Sequence, residues 1–504
     1  MANSITKPKS KPTSRLNQVG FLSCWLALSL LIVCLYWTHF DLDYFNDEIY
    51  TLKHFVFCSL ENTVLDYHVP NNHIFFNLIN NLYSRVTGLE TFHQALQKPL
   101  ILRMLPLGYA LGSLYLVIKI AWTRVSPIAA LLSGLTLITT IPYFNFAFQL
   151  RGYGLSAFLL LAIVYFIGRQ DQGKNLRRGL SILFLTALLF YAVPSNLYPI
   201  GGILLYLGFG VLAQVKNGLT SVFQSEGKLA DIGWIFSGLA LGLLFYSPIF
   251  KDVFLNGYVQ PVHPFQWVRF YSYYLPKLGD GFLSNRWALP ILMVLGIRYY
   301  RKNFCLSLLL LCVLFTPPIL VLIRGDEAPL RIFTVLIPIF SLLAGVGAIG
   351  GIKFLSGSKT KIQVGLTLLL SVILLITFTG EQKKVNSQLY TAIENNQRKQ
   401  DLYHLYYGAH YYPLETAAKV DSIHKAIAPF IAIQSCEPHG VANYFDIYDF
   451  PYAYEPNLDS LARLYQPLLI VTRIPNHYLQ KKQYKPQLLS KKKNYHSMVL
   501  LNGE

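Results

Sequence analysis

Apolar runs recur through the first 380 residues of this chain, separated mostly by short polar loops, and that repetition limits the fold more than any other feature. A helix that crosses a bilayer needs about 20 mostly apolar residues, because hydrocarbon offers no partner to an unsatisfied backbone N–H or C=O and a helix satisfies its own. By that measure about eleven stretches qualify, near 20–40, 100–122, 126–145, 152–168, 179–196, 198–214, 231–249, 287–299, 304–323, 332–354 and 361–380, the eighth being short. They predict an all-α polytopic membrane protein. Composition agrees: 53% of the 504 residues are hydrophobic and only 13% charged, where soluble domains carry roughly 25% charged residues.

The formal net charge of +18 belongs to the loops. Cytoplasmic loops of membrane proteins are rich in Lys and Arg, so the charge predicts orientation and no nucleic-acid partner. A basic N-terminal tail, 1–17, with Lys7, Lys9, Lys11 and Arg15, is expected in the cytoplasm, followed by an apolar run that reads as a retained anchor. If the count holds, Arg124, Arg169, Lys174, Arg177, Arg178, Lys216, Lys228, Arg298, Arg301, Lys302, Lys359 and Lys361 all fall on that same side. One missed span would invert every loop after it, so their agreement supports the threading. The plasma (inner) membrane is the expected location. Residues 18–380 form the membrane domain, with long external loops near 41–99 and 250–286.

After Gly380 the material changes. Residues 381–504 are polar, Tyr-rich and interrupted by Pro and Gly. Within them "LLIVTRI" reads as a buried strand and "AAKVDSIHKAIAPF" as an amphipathic helix, predicting a small α/β extracytoplasmic C-terminal domain. The six Cys show no framework spacing. Cys24, Cys34, Cys305 and Cys312 lie in or beside apolar runs, and Cys58 and Cys436 stand in polar regions, where a pairing is left open.

Chemistry concentrates on the expected external side. "YFNDEIYTLKH" places Asp47 and Glu48 just past the first span, flanked by apolar and aromatic residues. Solvated loop charges are the plain alternative, but those neighbours suggest a packed segment. Adjacent helical residues point about 100° apart, so one carboxylate can face a cleft as a base while the other supports it. Asp66, His68 and His73 follow in "LDYHVPNNHIFFNLINNLYSRVTG", with His54 ahead of them. They are candidates for substrate or headgroup binding, for helix capping, or for a divalent metal. The five-residue spacing of His68 and His73 matches no standard ligand motif. Arg151 in "FAFQLRGYGLSAF", Arg331 in "APLRIFTVLIPIF" and Arg103 in "LILRMLPLGYALG" each sit at an expected outer helix end. Snorkelling to headgroups is the bland explanation. Arginines at membrane depth are usually paired or functional, and guanidinium binds phosphate bidentately, so a lipid phosphate is the expected ligand.

In order along the chain, "NDEIYTL", "DYHVPNNHIFFNLINNLYSRVTG", "LRMLPLGYALG", "QLRGYGL" and "PLRIFTVLIP" resemble the motifs of the GT-C superfamily of polytopic glycosyltransferases. The likeness is to the bacterial family related to protein O-mannosyltransferases and the aminoarabinose transferase of lipid A, and it covers most of residues 20–355. Two departures stand out: "HVPNNH" carries one Pro where the family often has two, and "PLRIF" has Ile where Tyr is common. The resemblance implies a sugar carried on polyprenyl phosphate and transferred with inversion, on the external face, to a lipid, glycan or protein acceptor in the cell envelope. Asp47 would be the general base, and Arg151 and Arg331 would stabilise the leaving phosphate. A transporter or lipid flippase is the alternative, and it would place its charges nearer the bilayer midplane, in repeated halves.

Overall fold

Long helices dominate the computed structural model. It describes residues 15–40, 44–143 (45 and 71 apart), 149–168, 176–215, 226–255, 304–324, 330–395 (358 apart) and 413–427, with tail segments at 430–434, 452–454, 458–472 (466 apart), 486–490 and 497–501. The chain enters through α1 (Arg15–Phe40). It then folds a cluster of short helices: α2 (Asn46–Thr51), a π-type turn (Leu52–Val56), α3 (Leu60–Leu65), α4 (Ile74–Val86) and α5 (Phe92–Gln97). Long helices follow as α6 (Pro99–Arg124), α7 (Pro127–Ile138), α8 (Gly152–Gly168), α9 (Leu176–Ala192), α10 (Leu197–Val215) and α11 (Glu226–Tyr246). After a short α12 (Phe250–Phe254) come α13 (Phe304–Arg324), α14 (Ile337–Ser356) and α15 (Thr360–Asn395).

Among the described residues, seven stretches are long and apolar enough to cross a membrane: Asn17–Leu35, Pro99–Arg124, Pro194–Ala213, Gly227–Phe254, Phe304–Ile323, Arg331–Ser356 and Thr360–Gly380. Shorter apolar helices run at Pro127–Ile138 and Gly152–Gly168. The protein is therefore a multi-pass, helical membrane protein. The expected span near 287–299 and nearly all of the 256–286 loop lie outside the described residues. One expected boundary moves. The run near 126–145 does not continue as a single helix, because α7 stops at Ile138, where Thr139 closes the last turn at φ −99° and ψ 10°. Pro142 follows, and it has no N–H to offer the carbonyl four residues back.

Helix α14 is the most enclosed, and nearly all its side chains are buried. It approaches α7 so closely that a Cβ on Gly345 would lie 2.0 Å from Ser133 Oγ. Membrane helices pack through small residues in this way, since hydrocarbon gives apolar side chains no reason to prefer one another over lipid. The bundle has two distinct ends. At one, Arg124 donates to the Gly168 carbonyl, Arg178 donates to the Phe166 carbonyl, and Arg178 grips Asp231 with two bonds of 2.8 and 2.7 Å. At the other lie the starts of α6 and α8, covered by the short helices.

The tail carries a five-stranded mixed sheet: β1 (Phe430–Gln434), β2 (Tyr452–Tyr454), β3 (Leu468–Thr472), β4 (Pro486–Ser490) and β5 (Ser497–Leu501), in the order β2-β1-β3-β5-β4. β1 runs parallel to β2 and β3, while β5 is antiparallel to β3 and β4. Leu468, Leu469, Ile470 and Val471 are all fully buried, as a continuous apolar strand inside a sheet requires. The helix α16 (Pro413–Ile427), expected from its periodicity, precedes the sheet, and α17 (Leu458–Leu464) lies between β2 and β3.

Candidate active site

The segment between α1 and α6 is held from inside. Ser59 caps α3 by accepting the Asn62 N–H at 3.1 Å, and Thr91 and Gln94 form a reciprocal capping box on α5. Asn77, Asn80, Asn81 and Ser84 line the buried face of α4. Asn72 donates to the carbonyls of Thr63 and Asp66, Asn77 donates to Asn72 Oδ1, and Asn81 donates to Thr63 Oγ1 and the Cys58 carbonyl. These Asn side chains are thus scaffold. Buried backbone groups in a loop need partners, and the Asn side chains supply them.

On that scaffold α2 presents its two carboxylates in different directions. Glu48 is fully buried. Its Oε1 accepts the Leu150 N–H at 2.8 Å, and its Oε2 lies 3.5 Å from Arg103 Nη2. Arg103 is itself 1% exposed and stacks over the Tyr44 ring at 5.0 Å. His73 Nδ1 accepts the Gly152 N–H at 2.8 Å. The approach is close: a Cβ on Gly152 would sit 3.0 Å from His73 Cβ. Glu48 and His73 therefore clamp the backbone on either side of Arg151, and Arg151 turns toward Asp47.

Asp47 faces a partly open space with 26% of its side chain exposed. Arg151 Nη1 lies 3.5 Å from Asp47 Oδ2, and Arg331 Nη1 lies 3.4 Å from the same oxygen. Tyr153 joins the two arginines: Arg151 packs over its ring at 5.8 Å, and Arg331 donates to its hydroxyl. One carboxylate and two guanidinium groups leave a formal charge of +1 in this trio. Both contacts are longer than the 2.7–2.9 Å or so of a tight charge-assisted bond. The two positive neighbours add to burial in holding the His73 imidazole well below its ordinary pKa, burial being the larger cause.

The sequence-expected residues thus separate into groups. Asp47, Arg151 and Arg331 come together. Arg103 is placed apart from the other arginines, on Glu48. His73 is buried at the start of α8, whereas Asp66 and His68 pair on the exposed rim. Among the described residues, no three His, Cys, Asp or Glu side chains gather as a bound metal would require. Cys58 is a free thiol, and Cys436 lies outside the described residues. Tyr44 and Tyr153 escaped the sequence reasoning. The signal for Tyr153 was its place two residues after Arg151 in "LRGYG".

Solved structures share this architecture. ArnT from Cupriavidus metallidurans in the apo state aligns with a TM-score of 0.53 at 13% identity, over 97% of this chain and 99% of that one. ArnT from the same organism bound to undecaprenyl phosphate aligns at 0.51 and 14% identity, over 96% and 99%.

The chain has the GT-C fold.

The apo oligosaccharyltransferase of Archaeoglobus fulgidus also aligns, with a TM-score of 0.50 at 12% identity, over 88% of this chain and 66% of that one. No protein-family profile matches the sequence, and no curated protein matches it. The likeness to the GT-C proteins therefore lies in the fold.

Proposed function

We propose that this protein is a membrane glycosyltransferase that moves a sugar from a polyprenyl-phosphate donor to an acceptor hydroxyl on the external face, with inversion. The observation that carries this is the meeting of Arg151 and Arg331 on one oxygen of Asp47. A net-positive trio at the outer end of a helical bundle suits a lipid phosphate. ArnT, of the same fold, has been solved with undecaprenyl phosphate bound.

The donor phosphate draws the two guanidinium groups onto its own oxygens and so frees Asp47. The acceptor hydroxyl then attacks the anomeric carbon from the face opposite the phosphate. Its proton passes to the Asp47 carboxylate as the new C–O bond forms. The old C–O bond breaks, and its electron pair leaves on the phosphate oxygen. Arg151 and Arg331 stabilise that charge where it develops. Glu48 and Arg103 hold the turn that aims Arg151 and do not touch substrate. The basic loops at the other end of the bundle support an N-terminus in the cytoplasm and a tail, residues 381–504, outside.

Purified protein given labelled sugar on polyprenyl phosphate should transfer it, and Asp47→Asn should slow transfer by about 100- to 10,000-fold, the usual contribution of a general base. Thermal unfolding of the variant should match the wild type. Wild-type turnover in Asp47→Asn would remove Asp47 as the base. Lipid movement without transfer would favour a flippase.

A further inference from the structure

A second cluster lies beside Asp47 and takes no part in that mechanism. Tyr50 follows Asp47 by three residues on α2, so their side chains share a face, with Cβ atoms about 5–6 Å apart. The π-type turn Leu52–Val56 comes next and widens the backbone, bringing His54 against Tyr50 with ring centroids 4.3 Å apart. Such turns often mark functional positions. His68 completes the group, its ring 5.9 Å from Tyr50 and 6.0 Å from His54.

The polar atoms of this cluster are fixed in series. The Tyr50 hydroxyl bonds His68 Nε2 at 2.5 Å, and His68 Nδ1 bonds Asp66. Asp66 also accepts the His68 backbone N–H at 3.2 Å, and its own carbonyl is gripped by the buried Asn72. Yet His68 and Asp66 remain 46% and 38% exposed. Exposed ion pairs add little to stability, so holding the fold does not account for so ordered a rim. Lys53, beside His54 in sequence, is also exposed. Burial, His68 and Lys53 together push the His54 pKa down, leaving that ring neutral at pH 7. The surface therefore combines ring faces with fixed hydrogen-bonding atoms.

We infer that Tyr50, His54, His68 and Asp66 form the acceptor subsite, and that it takes a neutral, hydroxyl-rich sugar. Ring faces cover the C–H surface of a pyranose, and the Asp66 carboxylate, held in place by His68, accepts from its hydroxyls. The acceptor then lies one helical turn from Asp47, beside the donor phosphate and clear of the arginines. This rests on the glycosyl transfer proposed above.

The test uses full-length protein in lipid nanodiscs, free of sugar detergents, and saturation-transfer NMR against a panel of methyl hexopyranosides. At least one pyranoside should receive saturation from the wild type. Asp66→Ala should bind it about tenfold more weakly, the loss expected when a hydrogen bond to a charged group is removed, and His54→Ala, which removes a ring face, should also bind it more weakly. Tyr50→Phe, which keeps the ring and removes the hydroxyl, should fall between them and the wild type. All three should melt with the wild type and bind undecaprenyl phosphate as it does. No saturation of any pyranoside, saturation of a Ser/Thr peptide instead, full retention in both Ala variants, or displacement of the sugar by undecaprenyl phosphate would overturn the assignment. If the sugars bind at this rim but the wild type does not bind undecaprenyl phosphate, the acceptor site stands and the donor site of the proposed function falls.

Discussion

Asp47 and Glu48 are neighbours in sequence and occupy opposite kinds of surroundings. Glu48 is sealed, with a backbone N–H on one oxygen and Arg103 near the other. Asp47 is partly open, and two arginines share one of its oxygens at 3.4 and 3.5 Å. A sealed pair makes a rigid joint, because both charges are held away from water. An open and over-supplied carboxylate makes an exchangeable site, because an incoming anion can take the arginines over. The same residue chemistry is thus sealed at one position and partly open at the next, and a helical turn of about 100° separates them.

The largest effect on stability should come from the sealed side. Glu48→Ala removes the carboxylate beside the buried Arg103, and breaking a buried ion pair costs about 3–5 kcal/mol, so it should lower the melting temperature of the purified protein far more than any change at Asp47. A variant that melts like wild type would erase the contrast. On the open side, Arg151→Ala or Arg331→Ala should weaken undecaprenyl phosphate binding by about 10- to 100-fold, as loss of a charge-assisted bond implies. Lysine should restore only part of it, since it supplies the charge without the planar fork. Unchanged binding in both Ala variants would return these arginines to a snorkelling role.

A smaller effect concerns pH. The His73 pKa is lowered in the folded protein, so the folded state binds fewer protons than the unfolded state once pH falls below the unfolded value of about 6.5. His73 therefore leaves stability untouched above that pH. As pH drops toward the folded value it removes up to about 1.4 kcal/mol per unit. Protonating Nδ1 also removes the acceptor for the Gly152 N–H. Melting curves from pH 8 to 5 should show this slope in the wild type and a flatter one in His73→Gln. The smallest effect should be Asp47→Asn on the stability of the empty protein. Asn keeps the shape and hydrogen-bonding capacity of Asp47, which is itself partly open to solvent.

Much of this was legible in sequence, for identifiable reasons. Spanning helices are written as length and hydropathy, so α6, α13 and α14 fall close to where their apolar runs predict them, while α15 starts as expected but continues through the expected boundary at 380 to Asn395. The divergence of Asp47 and Glu48 follows from helix geometry, and the convergence of Arg151 and Arg331 from their places at helix ends. Arg103 looked equivalent to the other two, because sequence shows that an arginine begins a helix and not which carboxylate meets it. The structural role of the Asn-rich face of α4 was not legible for a related reason. Asn serves a buried backbone and a bound ligand through the same atoms, and only the fold decides between them. The end of α7 was missed because the run from 126 to 145 stays apolar through the threonines that close the helix.

The central claim is that Asp47 and the donor phosphate compete for the same two arginines. Undecaprenyl phosphate affinity, measured on purified wild type and Asp47→Asn side by side with sugar transfer, tests it most directly. Removing the competing carboxylate should tighten lipid-phosphate binding while transfer collapses. Binding that is unchanged or weaker, together with transfer that persists, would contradict the account.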